Sequence, residues 1–329
     1  MTCTIAVQEE TFDSLAQRWP ELLEKRSEPT FFETPAWQQT WWEEFGDRAQ
    51  LKLLTVASDD GTLKMLAPFM VNDGVASFLG GTDLVDYHDF ISMGNAYPHC
   101  LDAVLRAVGE DSNIRSIHLY SVPEDSPTLE CFENVAGAAG WQVNTEEEDV
   151  APRLQLPAAW DDYLAGLSKK NRHELRRKLR RLEAAGDVQY MELTEPDAIT
   201  PAMDDFMALH RMSTPDKAEF MTGDRERFFR KAVCALAEEN IARLCFIELD
   251  GQRVATSVSF VMDGVKYLYN SGYDPEHRQL SVGLLNHVYN IRLSIEQGLR
   301  IFDFMRGDEP YKYHLGGEDR RVYRLVARR

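Results

Sequence analysis

The chain has 329 residues, enough for two domains that each bury a core, and its 44% hydrophobic and 27% charged residues describe an ordinary globular protein. A net charge of −18 argues against a general nucleic-acid binder, because polyanions are repelled over most of such a surface. The first residues carry no basic stretch followed by an apolar core, no apolar run approaches a membrane span, and the five cysteines are scattered, features that predict a cytoplasmic protein without signal peptide, disulfide framework or metal site.

In chain order, TFDSLAQRWPELLEKR is expected to be partly helical, and FFETPAWQQTWWEEFG places Pro35 at a helix start with Trp37, Trp41 and Trp42 at helical spacing, a pattern of core anchors. LKLLTVA, TLKMLAPFMV and VASFLGG then read as an antiparallel meander punctuated by Asp60-Gly61 and Asp73-Gly74, since glycine supplies the positive φ of tight hairpins. A polar-aromatic segment, DLVDYHDFI, follows. PHCLDAVLRAVG is a helix with Pro98 near its first turn, IRSIHLYSV a strand, and TLECFENVAGAAG a helix closed by Gly140. The acidic run EEED leads away from it, and the domain boundary is expected near 145–160.

The second half repeats that grammar. ARLCFIELD, QRVATSVSFVMD and VKYLYNSGY form another meander around Asp250-Gly251 and Asp263-Gly264; in each half the two turns are 13 residues apart, and the halves are offset by 190. Matching order and spacing predict two copies of one α/β unit, a mostly antiparallel mixed sheet flanked by helices, with domains at 1–150 and 151–329. Between them, residues 169–181 (KKNRHELRRKLRR) carry eight Lys or Arg against one Glu, which leaves about −25 on the rest of the chain. Leu164, Leu167, Leu175, Leu179 and Leu182 give this stretch an apolar stripe, and Gly186 is expected as its C-cap. The basic faces suit either a localised anion or a solvated surface. MDDFMALHRM and RERFFRKAVCALAEE read as two amphipathic helices.

After the second meander comes Arg278-Gln279-Leu280-Ser281-Val282-Gly283, opening the helical run LLNHVYNIRLSI, and then the strand IFDFM. A glycine-bearing loop at a helix start presents N–H groups to phosphate. The spacing resembles the pyrophosphate pattern of GNAT acyltransferases, Gln/Arg-x-x-Gly-x-Gly/Ala, with Ser281 in place of the first glycine; by itself Ser281 also suits a plain N-cap. Together with SKKNRHELRRKLRRLEAAG, LHRM, SVGLLNHVYNI and EQGLRIFDFMRGDEPYK, and with FFETPAWQQTWWEEFG, LAPFM and DLVDYHDF in the first half, the chain resembles the GNAT-fold acetyltransferases of the cellulose-biosynthesis CelD-like group, which are similar to the Fem peptidyltransferases.

That resemblance implies a tandem GNAT architecture and acyl transfer from acyl-CoA, acetyl-CoA for instance, to an amine or hydroxyl of a polar metabolite or of a cell-envelope or polysaccharide precursor. The alternatives are a Fem-like transferase drawing on aminoacyl-tRNA, for which no long helical hairpin insertion is present, and a non-catalytic GNAT scaffold. By resemblance Arg278, Gln279, Ser281, Val282 and Gly283 hold the coenzyme, and Lys312 of the YK pair stabilises the oxyanion. Asp303, set between Phe302 and Phe304, is either paired with a residue such as Arg306 or a base, and Tyr311 and Tyr273 are candidates to protonate the leaving thiolate. His210 reads as structural beside Arg211. Asp86, Tyr87 and His88, with Asp89, read as the wall of an acceptor cleft or as a surface loop; the DYHD run lacks a distinctive metal-ligand spacing.

Overall fold

The computed structural model describes residues 5–94 and 97–329, so Cys3 and the Asn95-Ala96 pair just before the first copy's helix lie outside the described residues. The chain divides into two compact units, one of Met1–Val150 with Arg320–Arg329 and one of Ala151–Asp319. Residues Arg320–Arg329 thus group with the first unit, and their strand Arg321–Arg328 pairs into its sheet.

The first unit runs β1 (Ile5–Glu10), α1 (Phe12–Leu15), α2 (Arg18–Leu23), α3 (Pro35–Phe45), β2 (Gln50–Ser58), β3 (Leu63–Asn72), β4 (Val75–Phe78), β5 (Ile91–Ser92), α4 (Tyr97–Glu110), β6 (Ser116–Pro123), α5 (Pro127–Ala138) and β7 (Gln142–Val150). Thr34 caps α3 with Pro35 at its first position, and Trp37 and Trp41 are buried as expected. The acidic run expected to lead away from the domain lies instead in β7. The reason sits at the other end of the chain: the basic strand Arg321–Arg328 pairs antiparallel with both β6 and β7. Arg321 lies 3.3 Å from Glu147, and Arg324 bonds to Glu146. Opposite charges on adjacent strands make up the pairing that sequence proximity does not supply.

The second unit runs β8 (Arg153–Gln155), α6 (Trp160–Gly166), α7 (Lys169–Glu183), β9 (Val188–Leu193), α8 (Pro196–Ser213), α9 (Pro215–Phe220), α10 (Gly223–Glu238), β10 (Ala242–Leu249), β11 (Gln252–Met262), β12 (Val265–Tyr273), α11 (Val282–Glu296), β13 (Ile301–Asp303) and α12 (Pro310–His314); β14 (Arg321–Arg328) is the returning strand. The expected C-cap glycine is not one. Helix α7 stops at Glu183 with Ala184 as C-cap, while Gly186 lies where an added Cβ would meet the Asp250 carboxylate at 2.5 Å.

The two sheets share a plan. In the first the order is β1-β2-β3-β4-β6-β14-β7, with β5 on β3; in the second it is β8-β13-β12-β11-β10-β9. Each has a four-stranded antiparallel meander whose last strand pairs in parallel with the strand beyond the helix, β4 with β6 and β12 with β13. The duplication reaches single atoms. Arg115 and Arg300, each just before that parallel strand, donate a backbone N–H to the turn glycine (Gly74 or Gly264, 2.8 Å) and a guanidinium N–H to the turn aspartate's carbonyl (Asp73, 2.7 Å; Asp263, 2.6 Å). Three of the four Asp-Gly turns have φ > 0 at both residues, as two-residue hairpins need; around Asp60-Gly61 only the glycine does, and the loop is wider. Each unit has its own apolar core: Phe69, Phe78, Phe90 and Leu101 are among the buried residues of the first, and Leu175, Leu182, Leu285 and Phe302 of the second.

Among the described residues, no helix is long and apolar enough to cross a membrane. Among the same residues, no group of three or more His, Cys, Asp or Glu gathers to hold a metal ion.

Candidate active site

In the second unit a cleft of about 380 Å³ opens at the start of α11. Its position follows from two features of β12. The strand pairs with β13 only over Val265, Lys266 and Tyr267, and a bulge at Tyr269 shifts its register against β11. Beyond Tyr267 the strand edge that faced β13 is left without a partner strand, while α11 begins nearby. Side chains reach the main chain of β12: Ser213 Oγ accepts from Tyr273 N–H at 2.9 Å, Asn270 Oδ1 from Ser271 N–H at 2.9 Å, and Lys217 Nζ donates to the Ser271 carbonyl.

The loop at the mouth is built from the expected residues. Ser281 has φ 60° and ψ 36°, the left-handed conformation a glycine adopts without cost. The serine therefore keeps the backbone path of the glycine it replaces. Its hydroxyl makes no capping bond to α11, which removes the plain N-cap reading. Instead it accepts from Lys178 Nζ at 2.9 Å and from Arg181 Nη2 at 3.0 Å, both on α7. The first N–H groups of α11 have no intrahelical acceptor and carry the positive end of its dipole. Gly283 is required by space: a Cβ there would lie 2.9 Å from the Tyr273 ring. The helix start is thus uncapped, close to β12, and ringed by Lys178, Arg181 and Arg278. The open choice for the basic helix resolves in part, since two of its cations are turned onto this loop.

Arg278, Ser281, Val282, Gly283, Tyr273 and Tyr311 all line the cleft. Gln279 is exposed on the short turn before it and does not. Three expected residues are held elsewhere by their own partners. Lys312 is buried, and its ammonium donates to the carbonyls of Met305 and Arg306 at 2.8 Å and of Gly307 at 3.0 Å, with Glu309 at 2.8 Å. Those bonds use the donors an ammonium has, so it fixes loop 305–309. Asp303 is fully buried and accepts from Arg153 Nε on β8 at 2.7 Å and from Met305 N–H at 2.8 Å. Arg211 reaches Glu226 at 2.6 Å and the Met221 carbonyl at 3.0 Å.

Three residues that sequence reasoning did not select line the same cleft: Lys217, His287 and Glu309. Lys217 on α9 donates from Nζ to the Ser271 carbonyl beside the bulge. Burial pushes its ammonium down to about 8, with Glu309 opposing. His287 on α11 is buried, stacks on Tyr311 with ring centroids 5.2 Å apart, and has no partner for Nδ1. Burial, with Lys217 and Lys312 nearby, pushes its imidazole down to about 3, so it is neutral at working pH. Burial also drives the Tyr311 phenol upward. Neither Lys217 nor Glu309 belongs to a periodic pattern, and His287 sits in an apolar helical run, so nothing local marked them.

His210 is buried, donates from Nε2 to Asn270 Oδ1 at 2.9 Å, and is pushed down to about 4, chiefly by burial. It packs α8 against β12 where Gly272 lets the backbones meet; a Cβ there would lie 2.5 Å from the His210 backbone. That is the structural role expected of it.

The first unit has a polar cleft of about 480 Å³, lined by Tyr87, His88, Asp89, Arg26, Glu33 and Arg320 among others. Asp86 is not among its lining residues. Arg26 pairs with Asp89 at 2.9 Å and Glu33 at 3.0 Å, and Arg320 lies over the Tyr87 ring at 4.9 Å. Tyr87 and His88 are buried rather than a free surface loop.

Residues 169–313 match the family described as acetyltransferase (GNAT) domain. The chain is similar in structure to FemX, with a TM-score of 0.69 at 12% identity over 97% of this chain and 96% of that one. It is similar to L-PGS from Bacillus licheniformis (TM-score 0.57, 12% identity, 90% and 91%) and to a tandem GNAT protein from the clavulanic acid biosynthesis pathway (TM-score 0.51, 13% identity, 98% and 98%). At these identities the likeness is one of fold: two tandem GNAT-like domains. No curated protein sequence matches the chain.

Proposed function

We propose that the chain is an acyl-CoA-dependent N- or O-acyltransferase, with the donor held by the second unit. The observation that carries this is the uncapped start of α11, where Ser281 keeps a glycine's conformation, Gly283 leaves room beside Tyr273, and Lys178 and Arg181 converge. Backbone N–H groups and three cations suit the coenzyme's pyrophosphate. The cleft between β12 and the start of α11 suits its extended amide-bearing arm, and the matched GNAT domain spans both features. Acetyl-CoA is the simplest donor of this class.

In this reading Tyr311, kept protonated by burial, stands in the cleft to give the leaving thiolate its proton, and Lys312 and Asp303 act by fixing the loop that shapes the cleft. The proposed acceptor is a polar metabolite or an envelope or polysaccharide precursor, in the manner of the CelD-like group, and Tyr87, His88 and Asp89 in the first unit's polar cleft are proposed to take part in its recognition. The proposed compartment is the cytoplasm. Calorimetric titration of the full chain with acetyl-CoA and longer acyl-CoAs tests the donor. Micromolar binding that free CoA competes for is expected; no heat with any of them would overturn the reading.

A Fem-like use of aminoacyl-tRNA is the second reading, favoured by the structural likeness to FemX and by the exposed Lys169, Lys170, Arg176 and Arg177 of α7. It requires a gel shift with charged tRNA at low salt that weakens steeply as salt is raised.

A further inference from the structure

The far side of the cleft holds a primary amine where the chemistry of the proposed reaction would take place. Along β12, Tyr273 contacts Gly283 at the phosphate end, and Ser271, two residues back along the strand and next to the bulge, receives Lys217 Nζ. An arm laid along this edge from the helix start reaches Lys217 as it nears the bulge. The same wall carries His287, nine-tenths buried and with Nδ1 unpartnered, a polar group placed to meet a ligand that enters here.

Resting on the acyl-CoA reading above, we propose that Lys217 is itself an acyl-accepting site: with no other acceptor present, it takes the acyl group from a thioester bound in the cleft. Its Nζ lone pair attacks the thioester carbonyl carbon, the C–N bond forms and the C–S bond breaks, and the proton lost from Nζ passes to the departing thiolate. The products are an Nε-acyl-lysine and free thiol, so no further reactant is needed. Placement of amine and thioester in one cleft supplies the proximity that exposed lysines lack.

The charge state favours it. With its ammonium pushed down to about 8, Lys217 presents about a hundredfold more free amine at pH 8 than an ordinary lysine. The titratable groups around it are Glu309, which opposes that shift, the neutral imidazoles of His210 and His287, and Arg278 and Tyr311 on the cleft wall. Once acylated, Lys217 loses its charge and can no longer act as a nucleophile toward a second donor.

The test is to incubate the full chain with 13C-acetyl-CoA and no other acceptor at pH 7, 8 and 9, then map labelled lysines by peptide mass spectrometry beside a calorimetric titration with acetyl-CoA. Label at Lys217 is expected at least about tenfold above that at the exposed Lys169 and Lys170 at pH 8, rising with pH. Excess free CoA should suppress it, and so should Gly283→Glu. Acetyl-CoA binding with Lys217 unlabelled, or labelled no faster than Lys169, overturns this inference alone. Label at Lys217 that free CoA leaves unchanged also overturns it, because the acyl group then comes from solution. Absence of acetyl-CoA binding overturns the donor reading and this inference with it.

Discussion

Gly283→Glu tests the donor loop most directly. Its Cβ would lie 2.9 Å from Cδ1 and 3.2 Å from Cγ of Tyr273, so this half-buried ring must shift to admit it. Replacing a helical glycine gains up to about 1 kcal/mol, a carboxylate in the first turn adds roughly 0.3–1 kcal/mol, and displacing the ring costs about 1–3 kcal/mol. The variant should therefore fold within about 2 kcal/mol of the parent. Ligand binding is another matter. A carboxylate about 4 Å from one phosphate charge opposes it by about 4 kcal/mol at an effective dielectric constant of about 20, or roughly a thousandfold in Kd. Salt screening in an open cleft reduces this to a loss of at least about thirtyfold. Calorimetry with acetyl-CoA, run beside Gly283→Ala as a steric control without charge, reads the effect. Affinity within about threefold of the parent in the Glu variant, with an unchanged melt, would refute the loop assignment.

Removing both Lys178 and Arg181 as methionines should weaken acetyl-CoA at least about tenfold and flatten the salt dependence of binding; unchanged affinity would leave the basic helix a structural element only. Asp303→Asn or Arg153→Met should cost about 3–5 kcal/mol in urea melts, because each strands a buried charge partner, and a loss under about 1 kcal/mol would contradict the pairing. The buried histidines set a pH dependence. His287 and His210 are neutral in the fold with affinities near 3 and 4, whereas the unfolded chain protonates them near 6.5, so unfolding takes up protons as pH falls below that value. Between pH 7.5 and 5 each should remove about 2 kcal/mol of stability, and His287→Gln should show a shallower decline than the parent. Equal slopes would dispose of the buried neutral imidazole.

The likeness between the two units has a physical limit that bears on function. Both copies share the meander, the parallel fifth strand and the arginine that ties it to the turn, features that belong to sheet geometry. The equipment of α11 is not visible as a shared pattern: in the sequence the first copy's helix is preceded by GNA, and the described part of its polar cleft is organised instead by the Arg26, Glu33 and Asp89 network. Duplication preserved what holds a sheet together and left the loops free to diverge.

By itself the sequence determined the local plan. Hydrophobic alternation broken by Asp-Gly placed both meanders, prolines and capping residues placed α3 and α4, and the spacing 278–283 marked the glycine-bearing loop at the start of α11, because each of these depends on neighbours within one element. What the tertiary structure decided depends on residues far apart in the chain. Only the fold brings Lys178 and Arg181 about 100 residues along to Ser281, and so explains why a serine stands where a glycine is expected. Only it pairs Asp303 with Arg153, occupies Lys312 with three carbonyls, and sends β14 back to the acidic strand β7. Lys217 and His287 acquire their properties chiefly from burial, with Glu309 acting on the first and Lys217 and Lys312 on the second, and burial is set by what packs around a residue rather than by its place in the chain.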